Sequence, residues 1–133
     1  MFKSNKAQLI MEFTIIFSLA VFFLIIMLSF IVVQVDKNLD EKHLSALNKE
    51  KDFFEDKVSS LLVAKDGFRE KVYFSGFVDG VRMTLNMSDS MLILNSSRSK
   101  IYFVYPKINA SFQISNGTLL FVKENNIMSV IVV

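Results

Sequence analysis

The hydrophobic and polar positions along this chain first describe a long uninterrupted apolar run. Between Glu12 and Gln34 no residue is charged, and nearly all residues are Ile, Leu, Val, Phe or Met. As a helix, Phe13–Val33 would be roughly 31 Å long, which matches a hydrocarbon core of about 30 Å. A core helix of a soluble domain keeps a polar stripe, and this run has none. The pattern therefore predicts a membrane-spanning helix.

Beyond the apolar run the pattern becomes amphipathic. No Gly or Pro occurs before Gly67, so nothing between Gln8 and Ala64 forces a break. With Gly67 as a left-handed cap, one helix of roughly 55 residues is expected, about 80 Å long. Its outer half carries a single apolar stripe at steps of three and four, made of Val35, Leu39, Leu44, Leu47, Phe54, Val58, Leu61 and Leu62.

After Gly67 the apolar period changes from 3.6 to 2. Val81–Met87 and Ile108–Ile114 alternate apolar with polar residues, which predicts strands with one buried and one solvent-facing side. Further strands are expected at 71–78, 91–94, 101–105, 119–123 and 127–133, with turns at Asp79-Gly80, Asn95–Ser99, Asn116-Gly117 and Asn125-Asn126. The predicted fold is α+β, a long N-terminal helix with a C-terminal antiparallel β-meander head.

Charge on either side of the apolar run indicates its orientation. Lys3 and Lys6 precede the run without any acid, whereas 36–42 mixes both signs. By the positive-inside rule the N-terminus is cytoplasmic and the C-terminal domain extracellular, with a single pass through membrane lipid. The predicted division is a leader at 1–7, a transmembrane or assembly helix at 8–34, its amphipathic continuation at 35–66 and a β-rich head at 67–133.

Composition argues against several classes of function. Lys3 and Lys6 are two of fifteen basic residues, so thirteen basic and thirteen acidic residues remain from Gln8 onward. This balance, without a Lys/Arg cluster, argues against a nucleic-acid partner. There is no Cys, and the single histidine, His43, is expected to be a solvated residue of the charged outer helix. No catalytic, metal-binding or cofactor-binding motif is present, so an enzyme is not expected.

Four Asn-x-Ser/Thr triplets follow the apolar run and none precedes it. They begin at Asn86, Asn95, Asn109 and Asn116. Such a triplet is an N-glycan acceptor when its segment is exported. Asn86 and Asn109 fall on the polar faces of predicted strands, and Asn95 and Asn116 fall at predicted turns. Their placement fits the orientation inferred from charge and makes all four glycosylation candidates.

The junction Lys6-Ala7-Gln8-Leu9-Ile10-Met11-Glu12-Phe13, followed by an apolar helix, resembles the class III signal peptide of archaeal type IV pilin-like proteins. The resemblance implies cleavage by a prepilin peptidase between Ala7 and Gln8. Glu12 then occupies the fifth position of the mature chain, where the family has its characteristic carboxylate. Two residues depart from the commonest pattern: Ala7 stands where Gly is usual, and Ile10 where Ser is common.

Two functions remain open from the sequence. The resemblance implies a structural subunit that packs through its apolar helix against other pilin-like subunits in a surface filament. The alternative is an uncleaved single-pass anchor whose β-domain is an accessory or binding protein of the cell envelope. Glu12 has two corresponding interpretations. It is either an interfacial residue favoured by the helix dipole, or the partner of an α-amino group created at Gln8.

Cleavage between Ala7 and Gln8 is directly testable. Intact-mass analysis of membrane-extracted protein is expected to show loss of residues 1–7. Ala7→Asp or Ala7→Leu should block the cut but not membrane insertion, because the apolar run is unchanged. Ala20→Leu is the control and should be cut normally. Mature protein that retains Lys3 and Lys6 would contradict the resemblance.

Overall fold

The computed structural model describes the backbone of residues 2–133 and the side chains of residues 4–133. Met1 and the side chains of Phe2 and Lys3, which belong to the predicted leader, lie outside that part. The chain divides into two compact units, of which one ends at Leu39 and the next begins at Asp40. One long N-terminal helix and C-terminal antiparallel sheets confirm the predicted α+β class.

Helix α1 spans Phe2–Val63 and ends three residues before the predicted boundary. Gly67 does adopt a left-handed φ of 90°. It lies in a separate turn, however, in which the Phe68 amide donates to the Lys65 carbonyl at 3.2 Å. The predicted cap is therefore a turn residue that leads the chain into the first strand.

The C-terminal end of α1 is stabilised by a residue distant in sequence. The Lys123 ammonium donates a 3.0 Å hydrogen bond to the Leu62 carbonyl. Lys123 is only 9 % exposed, and the last turn of α1 contains no basic residue of its own. A cation at this position satisfies an unpaired helix carbonyl and interacts favourably with the helix dipole.

Eight strands follow the helix, and every predicted strand region overlaps at least one of them. Val81–Met87 is found with the predicted bounds. The region 71–78 is split in two, because the chain leaves one sheet at Ser75 and enters another at Phe77. The strands are β1 (Phe68–Phe74), β2 (Phe77–Val78), β3 (Val81–Met87), β4 (Met91–Ser96), β5 (Lys100–Val104), β6 (Phe112–Ile114), β7 (Gly117–Glu124) and β8 (Ile127–Val132).

The strands form two antiparallel sheets, so the predicted single meander is only partly correct. One sheet has the order β1-β7-β8 and the other β2-β3-β4-β5, with β6 also paired to β3. The consecutive strands β2 to β5 and the hairpin β7–β8 follow the meander. The pairs β1–β7 and β3–β6 join strands far apart in sequence, which local turn signals do not specify.

The predicted turns have different outcomes. Asp79-Gly80 and Asn125-Asn126 have positive φ at both residues and close two-residue hairpins, as expected. Asn95 lies inside β4 and not in the turn that follows it. Asn116-Gly117 closes no hairpin, because β6 before it pairs with β3 and β7 after it pairs with β1.

The segment Ile108–Ile114 keeps the predicted alternation of burial but is mostly not a strand. Ile108 and Ala110 are buried, while Asn109 and Ser111 are exposed. Only Phe112–Ile114 pairs as β6, and Asn109 makes an isolated parallel bridge to Ser129. The alternation of burial therefore indicates an extended segment that packs on the core, although no strand pairs with it along its whole length.

The core of the second unit lies between the two sheets and the helix part that begins at Asp40. From the helix it contains Ala46, Leu47, Phe54, Val58 and Leu61. The largest strand side chains without solvent contact include Phe74, Leu85, Leu92, Leu94, Leu119 and Phe121. Leu39 and Leu44 were placed on the same stripe by the sequence, but they are 37 % and 44 % exposed. The covered stripe therefore starts at Ala46.

Ion pairs attach the strands to this part of the helix. Lys57 pairs with Glu70, and both side chains are about one-third exposed or less. Lys49 Nζ lies 3.3 Å from the Asp79 carboxylate, and Arg98 donates to Asp40 at 3.1 Å. The last two pairs join the helix to the turns before β3 and after β4, which lie at the same end of this strand pair because Met83 is opposite Ser96. They are more exposed, and each contributes at most about 1 kcal/mol.

Gly76 occupies the point where the chain passes from the first sheet to the second. It is buried, has φ 70°, and accepts a hydrogen bond from the Met83 amide at 2.9 Å through its carbonyl. A Cβ at this position would overlap the carbonyl oxygen of Ser115. Only glycine therefore allows the two backbone segments to approach this closely.

Replacing Gly76 tests this packing. Gly76→Ala should lower the free energy of unfolding by about 3 kcal/mol or more, since left-handed strain adds to a backbone clash. Gly67→Ala is the matched control, because φ is 90° but nothing lies within 4 Å of an added Cβ. It should cost only about 1 kcal/mol. Urea unfolding in detergent micelles, followed by circular dichroism, measures both. Equal losses would contradict the close approach.

Candidate functional site

The predicted processing and assembly residues all lie in the N-terminal part of α1. Ala7, Gln8 and Glu12 are helical and exposed. The Gln8 side-chain amide donates a 3.1 Å hydrogen bond to the Glu12 carboxylate. Residues four apart lie on one helix face, so the residue after the predicted cut and the carboxylate are already in contact in the uncut chain.

The hydroxyl groups within the apolar run are satisfied inside the helix. Thr14 donates to the Ile10 carbonyl at 2.8 Å, Ser18 to Thr14 at 2.7 Å and Ser29 to Ile25 at 2.9 Å. Each bond reaches back one turn, so these side chains need no water. Glu12 is the only charged side chain between Leu9 and Val33.

The apolar run has almost no cover from the rest of the chain. Its most apolar 18-residue window has a mean hydropathy of 3.1, and none of that window is buried. Between Ser4 and Gln34 only Ile26 is even partly shielded. This apolar surface far exceeds the few hundred Å² that soluble monomers usually expose. The helix has the length and composition of a membrane span or a signal sequence.

The four candidate glycosylation residues are all exposed, in different backbone settings. Asn86 lies in β3 between two paired strands, opposite Ile93 and Gln113. Asn95 lies in β4, and Asn109 bridges to β8. Asn116 lies in the link between β6 and β7, outside any strand. The structure thus presents every acceptor residue to solvent, and Asn116 is the one of the four that pairs with no strand through its backbone.

His43 has a defined partner, in contrast to the solvated side chain that the sequence suggested. Its Nδ1 lies 2.9 Å from the Ser96 hydroxyl, which also bonds within the turn between β4 and β5. No local sequence pattern indicates this contact, because the two residues are 53 positions apart. Among residues 4–133 no group of three His, Asp or Glu side chains is placed to hold a metal ion.

Two groups in the second unit have pKa values shifted by their surroundings. Glu50 lies on the covered side of α1 between Leu47 and Phe54, and desolvation raises its pKa. Burial, together with the nearby Asp89 charge, raises the pKa of Tyr105 to about 12. The Tyr105 hydroxyl is the donor to two backbone carbonyls, those of Ser88 and Met91, which share its single proton.

Comparison with protein-family models, with curated proteins and with solved structures finds no match to this chain. What the fold supports is a pilin-like architecture, a long apolar N-terminal helix followed by antiparallel β-sheets.

Sequence reasoning missed one concave surface of the head. A groove of about 760 Å³ lies where the links β1–β2 and β6–β7 run side by side, and it includes Asn95 and Asn116. Gly76 carried the only local signal, because a glycine inside a predicted strand often marks a bend or a close backbone approach. The residues that meet at the groove come from four separate segments, which no local pattern brings together.

Glycopeptide mapping should find glycans among the four candidates if the host glycosylates exported proteins. The backbone settings predict highest occupancy at Asn116 and lowest at Asn86, because a transferase must reach around the acceptor amide. Asn5 and Asn38 begin no triplet and serve as internal controls. The prediction is wrong if none of the four residues carries a glycan in a glycosylating host, or if occupancy is highest at Asn86.

Proposed function

We propose that this chain is a pilin-like structural subunit. A prepilin peptidase removes residues 1–7, and the apolar helix then packs against other copies, or related subunits, in a type IV pilus-like surface filament. Before assembly the chain crosses the cell membrane once, with its β-domain outside. The observation that carries the proposal is the uncovered apolar helix with a single carboxylate at its entrance.

Electrostatics of the cut chain support this proposal. Removal of residues 1–7 takes away Lys3 and Lys6, so no basic side chain remains before Lys37. Cleavage also creates an α-ammonium group at Gln8. Glu12 and that ammonium group are then the only charges between Gln8 and Val35. Each is the only available counter-charge for the other, in its own chain or in an adjacent copy.

Burial decides how strongly the two charges must pair. In a bilayer, Glu12 lies near the interface, where a carboxylate costs less than the roughly 3 kcal/mol found for charges at the membrane centre. In a bundle of apolar helices water is absent, and an unpaired carboxylate would cost several kcal/mol. An α-ammonium of the same chain or of an adjacent copy removes that cost, and in the second case the pair selects one stagger between neighbouring helices.

The existing Gln8–Glu12 hydrogen bond supports pairing of the two groups within one chain. It shows that a donor on Gln8 reaches the Glu12 carboxylate with both residues helical. The new α-ammonium would start at the same residue and carry a full charge. A charged donor makes a shorter and stronger hydrogen bond than a neutral amide.

The second candidate, an uncleaved single-pass anchor, is favoured by one observation. Helix α1 continues through Ala7 and Gln8 without a break, and a peptidase must open a helical bond before it can cut. In that case the leader stays, Lys6 remains close to Glu12 in sequence, and the apolar helix remains in lipid. The β-domain then acts alone at the cell surface.

Variants of Glu12 separate assembly from membrane insertion. Glu12→Val should leave expression, insertion and head folding intact but lower filament incorporation about tenfold or more, because the charge pair between Glu12 and the α-ammonium is lost. Glu12→Asp should be intermediate, since the charge remains but its reach shortens. The measurement is the ratio of shear-released to membrane-bound protein.

Thr14→Val is the matched control on the same helix. It also replaces a polar side chain by valine, but the Thr14 hydroxyl is already bonded to its own helix. It should assemble like the wild type. If Glu12→Val also assembles like the wild type, Glu12 is an interfacial residue only and the single-pass anchor becomes the better account.

A further inference from the structure

The groove in the second unit lies at a seam between the two sheets. The chain crosses from one sheet to the other through Ser75-Gly76 and returns through Ser115-Asn116. These links are in backbone contact at Gly76. Beyond the seam, β2 and β6 pair with successive parts of β3, which leaves a concave surface beside them. The glycine contact therefore fixes one wall of the groove.

Two cross-strand pairs form the outer face of this groove. Phe77 of β2 lies opposite Arg82 of β3, and Thr84 of β3 lies opposite Asn95 of β4. Directly opposed side chains in antiparallel strands are about 5 Å apart and point to the same face. Arg82 and Thr84 alternate with the buried Val81 and Met83 and therefore face away from the core.

The chemistry of these four side chains is complementary to a particular ligand class. Phe77 is 55 % exposed and offers an apolar ring face. Arg82 is the only charged residue among those that line the groove. Within residues 4–133 no carboxylate forms an ion pair with it. Asn95 and Thr84 add an amide and a hydroxyl, which both donate and accept hydrogen bonds.

We propose that this groove binds an acidic carbohydrate, a glycan that contains a uronic acid. The C–H face of one sugar ring packs on Phe77, and the uronate carboxylate accepts two parallel hydrogen bonds from Arg82. Thr84 and Asn95 bond the hydroxyl groups of the neighbouring ring. A groove of about 760 Å³ lies within the range of small-ligand sites, about 300–1,000 Å³. The proposal does not depend on filament assembly.

A single-stranded nucleic acid is the competing ligand, because its bases also stack on aromatic rings. It carries one phosphate per nucleotide, and its binding relies on a groove with several cations. Here Arg82 stands alone, which matches one carboxylate every one or two sugar units better than a continuous run of phosphates. The two ligands serve as separate arms of the test.

The acidic carbohydrate could come from two sources. One is a polysaccharide of another surface, and the other is a glycan on Asn95 or Asn116, which themselves line the groove. Protein from a host without N-glycosylation leaves the groove open to an added ligand. Protein from a glycosylating host should bind that ligand more weakly if its own glycan fills the groove, and equally if it does not. The first result assigns the source to the chain's own glycan, and the second to another surface.

The experiment is calorimetric titration of the full chain in detergent micelles with tetragalacturonate. The neutral tetramer of galactose and a thymidine tetranucleotide are the comparison ligands. Tetragalacturonate should bind with a Kd of about 1 mM or tighter, and the Kd should rise with salt. Arg82→Gln and Phe77→Ala should each weaken binding about tenfold, and Arg82→Lys should recover only part of the loss.

Two surface variants control for general effects. Tyr102→Ala removes an aromatic ring that is 64 % exposed on β5, outside the groove, and Arg69→Gln removes an exposed arginine on β1. Neither should change the Kd. The proposal is overturned if tetragalacturonate does not bind, if the neutral tetramer or the tetranucleotide binds equally well, or if the controls weaken binding as much as Arg82→Gln.

Discussion

The structure depends on an apolar helix that its own chain does not cover. Soluble proteins bury such a surface against other elements of the fold, and here the run from Phe13 to Val33 is left open. Burial of apolar surface is the largest favourable term in folding and association. The proposed function assigns the cover to lipid before assembly and to other copies in the filament. Glu12 is the one residue in that helix whose cost differs strongly between them.

The second unit uses its part of the helix in the opposite way. From Ala46 onward the helix supplies one side of a closed core, and both sheets pack on it. Lys123 of β7 binds the last turn of the helix, and Lys57 pairs with Glu70 of β1. The strand β1 at the start of the head also pairs with β7 near its end. The head is thus completed only when the last third of the chain has folded onto the helix.

Local patterns predict where the helices and strands lie better than which strands pair with each other. The alternation of apolar and polar residues predicts β3, and two hairpins are predicted from the turn residues Asp79-Gly80 and Asn125-Asn126. Both signals are properties of short segments. The pairing of Phe74 with Gly117 and the contact of His43 with Ser96 depend on distant parts of the chain. For the same reason the motif at Ala7, Gln8 and Glu12 was visible in the sequence, whereas the groove at Phe77 and Arg82 was not.

Disulfide cross-linking tests most directly whether copies of this chain cover its apolar helix. The chain has no Cys, so Thr14→Cys, Ser18→Cys, Ala20→Cys and Ser29→Cys each place one thiol in the helix. Linked dimers are expected in shear-released material for some positions and not others, and none when Ala7→Asp is added to keep the chain in the bilayer. If no position gives a cross-link, or if cross-linking is equal with Ala7→Asp present, copies of this chain do not cover the helix in a filament.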